Sequence, residues 1–217
     1  VASSAAGAAW PQARAARVQE RIAEQVQAHE MRARQAMETR DAERALVEWK
    51  LVYDADPAHP EALKFLDTMF PSLVLKAKDR MKEGLYQEMI RILQLLSEVR
   101  PGDPAVGEGY RLLREDFAGR AAAHEKLETY AKARDLWREY AELRPEDAEA
   151  KKEVARLTES GGARVEAYLK EARALDQQGS MVEALLVAKK AVRVDPGWVA
   201  ALDLEKRLMK RIEESIR

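Results

Sequence analysis

The chain has 217 residues, and its 37 basic and 38 acidic side chains leave a formal net charge of -1. This balance gives no overall attraction to nucleic acid or to an anionic membrane. Cysteine is absent, which excludes disulfides, thiolate metal sites and a cysteine nucleophile.

Residues 1–11 are rich in Ala and Ser and carry no charged side chain. This composition favours a flexible terminal segment, followed by a single folded domain over residues 12–217. The alternative is the end of a signal sequence, or the spacer after an acylated cysteine in a lipoprotein, because small residues suit both. This start indicates a periplasmic or cell-envelope location, with the cytoplasm as the alternative.

From Gln12 onward, apolar side chains recur every three or four residues, which predicts a long N-terminal helix with one apolar face. Val18, Ile22 and Ala33 lie on that face. A polar turn at residues 38–41 ends the helix. A second helix-forming run then leads to the first of four similar breaks.

Each of the four breaks contains a proline, which stops a helix because it has no N–H group and disfavours a helical residue before it. The prolines are Pro57, Pro101, Pro145 and Pro196, at intervals of 44, 44 and 51 residues. A repeated interval of this size is typical of stacked helical hairpins. Residues twelve, eight and five positions before each proline would share one helix face. They are Ala45, Trp49 and Val52; Met89, Leu93 and Leu96; Ala133, Trp137 and Tyr140; and Ala184, Ala188 and Ala191.

The last unit, YLKEARALDQQGSMVEALLVAKKAVRVDP, resembles a tetratricopeptide repeat. The family's characteristic positions are taken by Tyr168, Ala172, Leu175, Gly179, Ala184, Ala191 and Pro196. The resemblance extends more loosely back to about residue 25, although the first and third units lack a clear turn glycine. It implies an all-α, right-handed α-solenoid of about four hairpins, with a long N-terminal helix and a C-terminal capping helix.

The units are about ten residues longer than the 34-residue family repeat. The additional residues follow each proline, which predicts elongated first helices, or an extra helix broken near Pro71, Gly119 and the Gly161–Gly162 pair. A generic α-solenoid of unequal hairpins is the alternative architecture. Trp198 follows a Pro-Gly turn and is predicted to anchor the capping helix.

The sequence contains no pattern typical of an active site or a metal site. His29, His59 and His124 lie in different segments, and no two of them have the i, i+4 spacing of a helical zinc site. The glycines of GDPAVGEGY lack phosphate-loop spacing. We therefore expect no catalytic residue, cofactor or metal ion, no nucleic-acid partner, and membrane association only through a lipid anchor that has been removed.

In the family that the chain resembles, the first helices of the hairpins line a groove for a peptide segment or a neighbouring subunit. The corresponding candidate residues here are Arg34, Lys78, Lys82, Lys126, Arg173 and Gln177. Their basic character predicts a stripe that faces an anionic partner, although chance alignment is the alternative in a chain this charged. Asparagine is absent, which disfavours the chaperone-tail clamp of some family members.

Three functions are consistent with these features. The first is a non-catalytic scaffold or adaptor for protein partners, helping to assemble or stabilise a bacterial cell-envelope complex such as a pilus, secretion or outer-membrane machine. The second is a structural subunit of a larger complex, docked through its long N-terminal helix. The third is the regulatory part of a larger cytoplasmic complex or enzyme. The residues do not decide the oligomeric state.

Overall fold

The computed structural model describes residues 6–216, and their side chains from residue 14 onward. These residues form α1 (Ala6–Glu38), α2 (Ala42–Ala55), α3 (Pro60–Lys82), α4 (Tyr86–Val99), α5 (Pro104–Lys126), α6 (Tyr130–Leu143), α7 (Ala148–Gln177), α8 (Met181–Val194) and α9 (Val199–Ile216). No strand occurs between residues 6 and 216. The predicted all-α class of successive hairpins with a final helix is therefore confirmed.

The described residues divide into two compact units, and the boundary between them along the chain falls within α5. The first unit ends at Arg111 and the second begins at Leu112, so the single domain over residues 12–217 stays a prediction. Residues 1–5 of the predicted flexible segment lie outside the described residues. The remainder of that segment belongs to α1, which begins six residues before the predicted domain boundary.

The second helix of each hairpin is a structural copy of the others. α2, α4, α6 and α8 each have 14 residues, starting fifteen and ending two positions before the break proline. All twelve side chains at the three predicted offsets are buried, and the most exposed, Trp137, is only 5% exposed. The prolines therefore mark a true helical repeat, in which one face of every second helix packs inside its unit.

The first helices vary in length. α3 and α5 have 23 residues each and α7 has 30. They run unbroken through Pro71, Gly119 and the Gly161–Gly162 pair, so the elongated helices are correct and the extra broken helix is not formed. Gly161 instead marks a close approach of α7 to α6, because a Cβ added there would lie 2.9 Å from the Cβ of Tyr130.

The turn inside each hairpin has a residue with positive φ at the same repeat position, seventeen residues before the break proline. These residues are Arg40, Gly84, Glu128 and Gly179, with φ of 58°, 76°, 56° and 83°. Glycine adopts this conformation at no steric cost, whereas other L-residues are strained in it. The first and third hairpins therefore form the same turn as the other two, although their sequences have no glycine at this position.

The second unit has a continuous core formed by α7, α8 and α9. Leu169, Ala188 and Leu204 are among its buried members, with exposures of 3% or less. Trp198 packs partly buried against this core, and its ring lies 3.4 Å from the position a Cβ of Gly162 would occupy. Trp198 therefore lies at the start of the C-terminal helix, as predicted.

Candidate protein-binding site

The predicted groove residues are divided between the two units. Arg34, Lys78 and Lys82 belong to the first unit, and Lys126, Arg173 and Gln177 belong to the second. All are exposed except Lys78, which is half-buried. Because each unit is a separate compact body, the two groups are considered separately.

In the first unit, the structure pairs two of these cations with carboxylates. Arg34 donates to Glu30 and to Glu61 in the first turn of α3, with the bond to Glu61 at 3.0 Å. Lys82 lies 2.9 Å from a carboxylate oxygen of Asp79. Lys78 is seventeen residues beyond Glu61 on α3, which corresponds to about 25 Å along a helix. Arg34 and Lys78 are therefore not neighbours in a compact basic site.

In the second unit, Lys126 ends α5, and Arg173 and Gln177 lie on the last two turns of α7. Neither Lys126 nor Arg173 forms an ion pair with any described side chain. Both remain available to an external anion, but they are not joined into one cluster by any contact between described residues. The anion-facing stripe stays a prediction.

A cleft of the first unit lies between the end of α1 and the first half of α3, over Trp49 of α2. Its volume is about 600 Å³. We call it the α1–α3 cleft. It is lined by Arg34, Met37, Trp49, Glu61, Lys64, Phe65, Thr68 and Met69.

The floor of the α1–α3 cleft is held rigidly by Trp49, which is only 2% exposed. Its indole N–H donates to the sulfur of Met37 at 3.3 Å. The Trp49 ring centroid lies 6.0 Å from that of Phe65 and 5.9 Å from that of His59. Since His59 also caps the start of α3 by accepting from the Ala62 N–H, these contacts join the cleft floor to both neighbouring helices.

The walls of the cleft combine partly exposed apolar side chains with charged ones. Met37 is 48% exposed, while Phe65 and Met69 are half-buried. Methionine has a flexible, polarizable side chain that adapts to differently shaped ligands. At the rim, Lys64 makes no ion pair with any described residue, in contrast to Arg34. The cleft can therefore bind a bulky apolar side chain and place an acidic group beside Lys64.

Sequence reasoning found only Arg34 of this site. The missed residues Phe65 and Met69 are four positions apart, so they share a face of α3. Met37 follows Arg34 by one turn of α1. A search for Met and aromatic residues at helical spacing would have found the pair on α3.

Several titratable side chains have defined hydrogen-bond partners. Tyr140 donates its hydroxyl to Asp147 at 2.8 Å, and burial, together with this bond, raises the pKa of Tyr140. His29 contacts a carboxylate oxygen of Glu48 at 2.7 Å, and His124 contacts the Thr129 hydroxyl at 3.0 Å. Among the described residues, no three histidine or acidic side chains are arranged to hold a metal ion.

Comparisons with known proteins add little to this geometry. No protein-family model and no curated protein sequence matches the chain. Among solved structures, the chain is similar to that titled "Crystal structure of MamA protein", with 18% sequence identity over 89% of this chain and 91% of that one, and a TM-score of 0.18. None of the described helices is long and apolar enough to cross a bilayer.

Proposed function

We propose that the protein is a non-catalytic scaffold that binds a protein partner through the α1–α3 cleft. The observation that carries this proposal is the set of partly exposed apolar side chains, Met37, Phe65 and Met69, above the fixed ring of Trp49. Such a surface suits recognition of another polypeptide, because an apolar anchor residue supplies affinity and a polar rim orients it.

The volume of the cleft matches this use. Ligand pockets typically enclose about 300–1,000 Å³, and the cleft provides about 600 Å³. A large side chain from a partner, such as Leu, Phe or Trp, would insert between Met37 and Met69. Since Trp49 is already fixed by its contacts with Met37 and Phe65, binding would require little reorganisation of the protein, which favours affinity.

We further propose that the chain is a degenerate tetratricopeptide-repeat protein, with the role of an assembly factor in a bacterial cell-envelope complex. The repeat position of the second helices and the positive-φ turn at Gly179 support the first part. The small-residue start supports the envelope location. A regulatory role in a larger cytoplasmic complex or enzyme is the alternative.

Site-specific photo-cross-linking in the native cell tests the scaffold role. A benzoylphenylalanine in place of Met37 should cross-link one partner, and Met69→Arg in the same chain should abolish the product by filling the cleft. Leu75 provides the matched control position, because it is 59% exposed on α3 but lies outside the cleft. Identical products from both positions, or a Met37 product that survives Met69→Arg, would contradict binding at the cleft.

One observation favours a second candidate function, a structural subunit docked through α1. All side chains from residue 14 to residue 25 are exposed, including Val18 at 50% and Ile22 at 36%. Val18→Asp with Ile22→Asp should then release the chain from its complex without lowering its thermal stability, as measured by co-sedimentation and circular dichroism. Unchanged co-sedimentation would exclude this docking surface.

A further inference from the structure

A second candidate binding surface surrounds Glu128, in the turn between α5 and α6. The Glu128 carboxylate accepts a hydrogen bond of 2.6 Å from the Tyr168 hydroxyl and another from Arg164. Arg193 of α8 approaches the same carboxylate to 3.9 Å. We call Glu128, Arg164, Tyr168, Lys190 and Arg193 the Glu128 cluster. Three secondary-structure segments therefore converge on one carboxylate.

The ring of Tyr168 holds two of the cations close together. The Arg164 guanidinium carbon lies 4.6 Å from the ring centroid, and the Lys190 ammonium lies 5.9 Å from it. Cations are attracted to the face of an aromatic ring, which partly offsets their mutual repulsion. Arg164 and Lys190 therefore both lie next to the Tyr168 ring.

The Glu128 cluster has more positive than negative charge. Arg164 and Arg193 both approach the Glu128 carboxylate, and Lys190, over the Tyr168 ring, forms no ion pair with a described residue. Glu125 binds Arg156, and Asp195 binds Arg134. The cluster therefore retains an excess of two positive charges on exposed side chains, with Arg193 58% exposed.

Exposed apolar side chains border this positive surface. Leu127 immediately precedes Glu128 and is 64% exposed. Leu186 is one helical turn before Lys190 on α8 and is 57% exposed. Large apolar groups at such exposure beside an uncompensated charge are typical of an interaction surface, in which apolar burial supplies affinity and charge selects the partner.

Glu128 also has an unusual backbone conformation. Glu128 has φ of 56°, at the repeat position where Gly84 and Gly179 occur in two other hairpins. An L-residue is sterically strained in this conformation, whereas glycine is not. The third hairpin therefore has a strained backbone at Glu128, the residue whose carboxylate contacts Arg164 and Tyr168. The positions of these side chains consequently depend on Glu128.

We infer that the Glu128 cluster is a docking surface for an acidic segment of a protein partner, in which carboxylates alternate with bulky apolar side chains. A partner carboxylate would bridge Lys190 and Arg193, and its apolar neighbours would cover Leu186 and Leu127. This inference rests on the proposed scaffold function but uses the second unit instead of the α1–α3 cleft. Within the cluster, Glu128 competes with the partner for the same cations.

The test is fluorescence anisotropy with a short fluorescein-labelled peptide of alternating Glu and Leu, and with its Gln–Leu counterpart, on the full chain. Lys190→Glu and Arg193→Glu should each weaken binding of the Glu–Leu peptide about threefold to tenfold, since each reverses one exposed charge. Glu128→Gln should strengthen it about twofold to fivefold by removing the competing carboxylate. The Gln–Leu peptide should bind weakly to every variant.

The matched control is Lys170→Glu, which changes the net charge equally on an exposed residue of α7 that is two positions from Tyr168 and therefore on a different face of the helix. It should alter binding by less than about twofold. An effect of Lys170→Glu equal to that of Arg193→Glu would overturn the inference, because the peptide would then respond to overall charge. Equal binding of the Gln–Leu peptide, or displacement of the Glu–Leu peptide by inorganic phosphate at the same concentration, would also overturn it.

The cleft variant Met69→Arg separates this inference from the proposed function. Peptide binding that is unchanged in Met69→Arg and weakened in Arg193→Glu supports docking at the Glu128 cluster. Peptide binding lost in Met69→Arg and kept in Arg193→Glu would place the acidic segment in the α1–α3 cleft and overturn the assignment. Thermal melting of each variant confirms that any loss of binding occurs in folded protein.

Discussion

The close approach of α7 to α6 can be measured with two glycine substitutions in the second unit. Gly119 and Gly161 both lie inside long first helices, α5 and α7. A Cβ at Gly119 would have no heavy atom within 4 Å, whereas a Cβ at Gly161 would lie 2.9 Å from that of Tyr130. The two positions therefore differ in packing but share the same helical backbone.

The expected free energies follow from this difference. Alanine is favoured over glycine inside a helix by about 1 kcal/mol, so Gly119→Ala should stabilise the protein by up to that amount. Gly161→Ala gains the same helical preference but forces Tyr130 and its helix to move, and overpacking typically costs about 1–3 kcal/mol. Its net effect should range from zero to about 2 kcal/mol of destabilisation.

The assay is urea unfolding of both variants and the wild type, followed by circular dichroism. The difference between Gly161→Ala and Gly119→Ala should be about 1–3 kcal/mol, with unchanged dependence on urea concentration. If Gly161→Ala stabilises the protein as much as Gly119→Ala, the two helices do not approach each other closely at this position, and the packing argument is wrong.

Three further outcomes can be measured with the same unfolding assay. Arg40→Gly should stabilise the protein by about 1 kcal/mol, because it relieves a positive φ of 58°, whereas Arg40→Ala should not. Trp137→Ala should cost about 3–5 kcal/mol, since Trp137 is 5% exposed and packs edge-on against Tyr140; a cost near zero would contradict the repeat alignment. The hydrogen bond from Tyr168, with help from nearby arginines, lowers the pKa of Glu128. Ionised Glu128 therefore stabilises the fold above its ordinary pKa of about 4.3, and this stabilisation is lost as pH falls through the lower pKa of the folded state. The stability of Glu128→Gln should consequently fall less than that of the wild type between about pH 5 and pH 3. Equal acid sensitivity of the two proteins would refute this role.

Much of the fold could be predicted from the sequence because its repeat depends on local chemistry. A proline stops a helix wherever it occurs, and small or apolar residues at fixed distances before it define a packing face. The four second helices therefore have the predicted positions, and the residues predicted to share one face of them, Trp49 and Trp137 included, are buried. The positive φ of Arg40 and of Glu128 was not predicted, because their side chains do not report the backbone conformation that tertiary packing imposes.

The candidate sites were harder to predict because they depend on which segments meet. Family positions counted back from the prolines assume first helices of ordinary length, whereas α1 has 33 residues and α3 has 23. Arg34 consequently meets Glu61 at the start of α3, far along that helix from Lys78. Similarly, no candidate residue was predicted on a second helix, and only the structure shows the proximity of Lys190 to Tyr168.

The constant length of the second helices has a consequence for how such a chain can change over evolutionary time. Each second helix has 14 residues and ends two positions before its proline. Equivalent positions for recombination therefore recur along the gene, one at each break proline. Recombination between two such points would delete or duplicate a complete hairpin while preserving the register of every packing face. Variation in length would then be confined to the first helices, where α1 and α7 are longer than α3 and α5. The array can thus acquire new surfaces by gene duplication without redesigning its core.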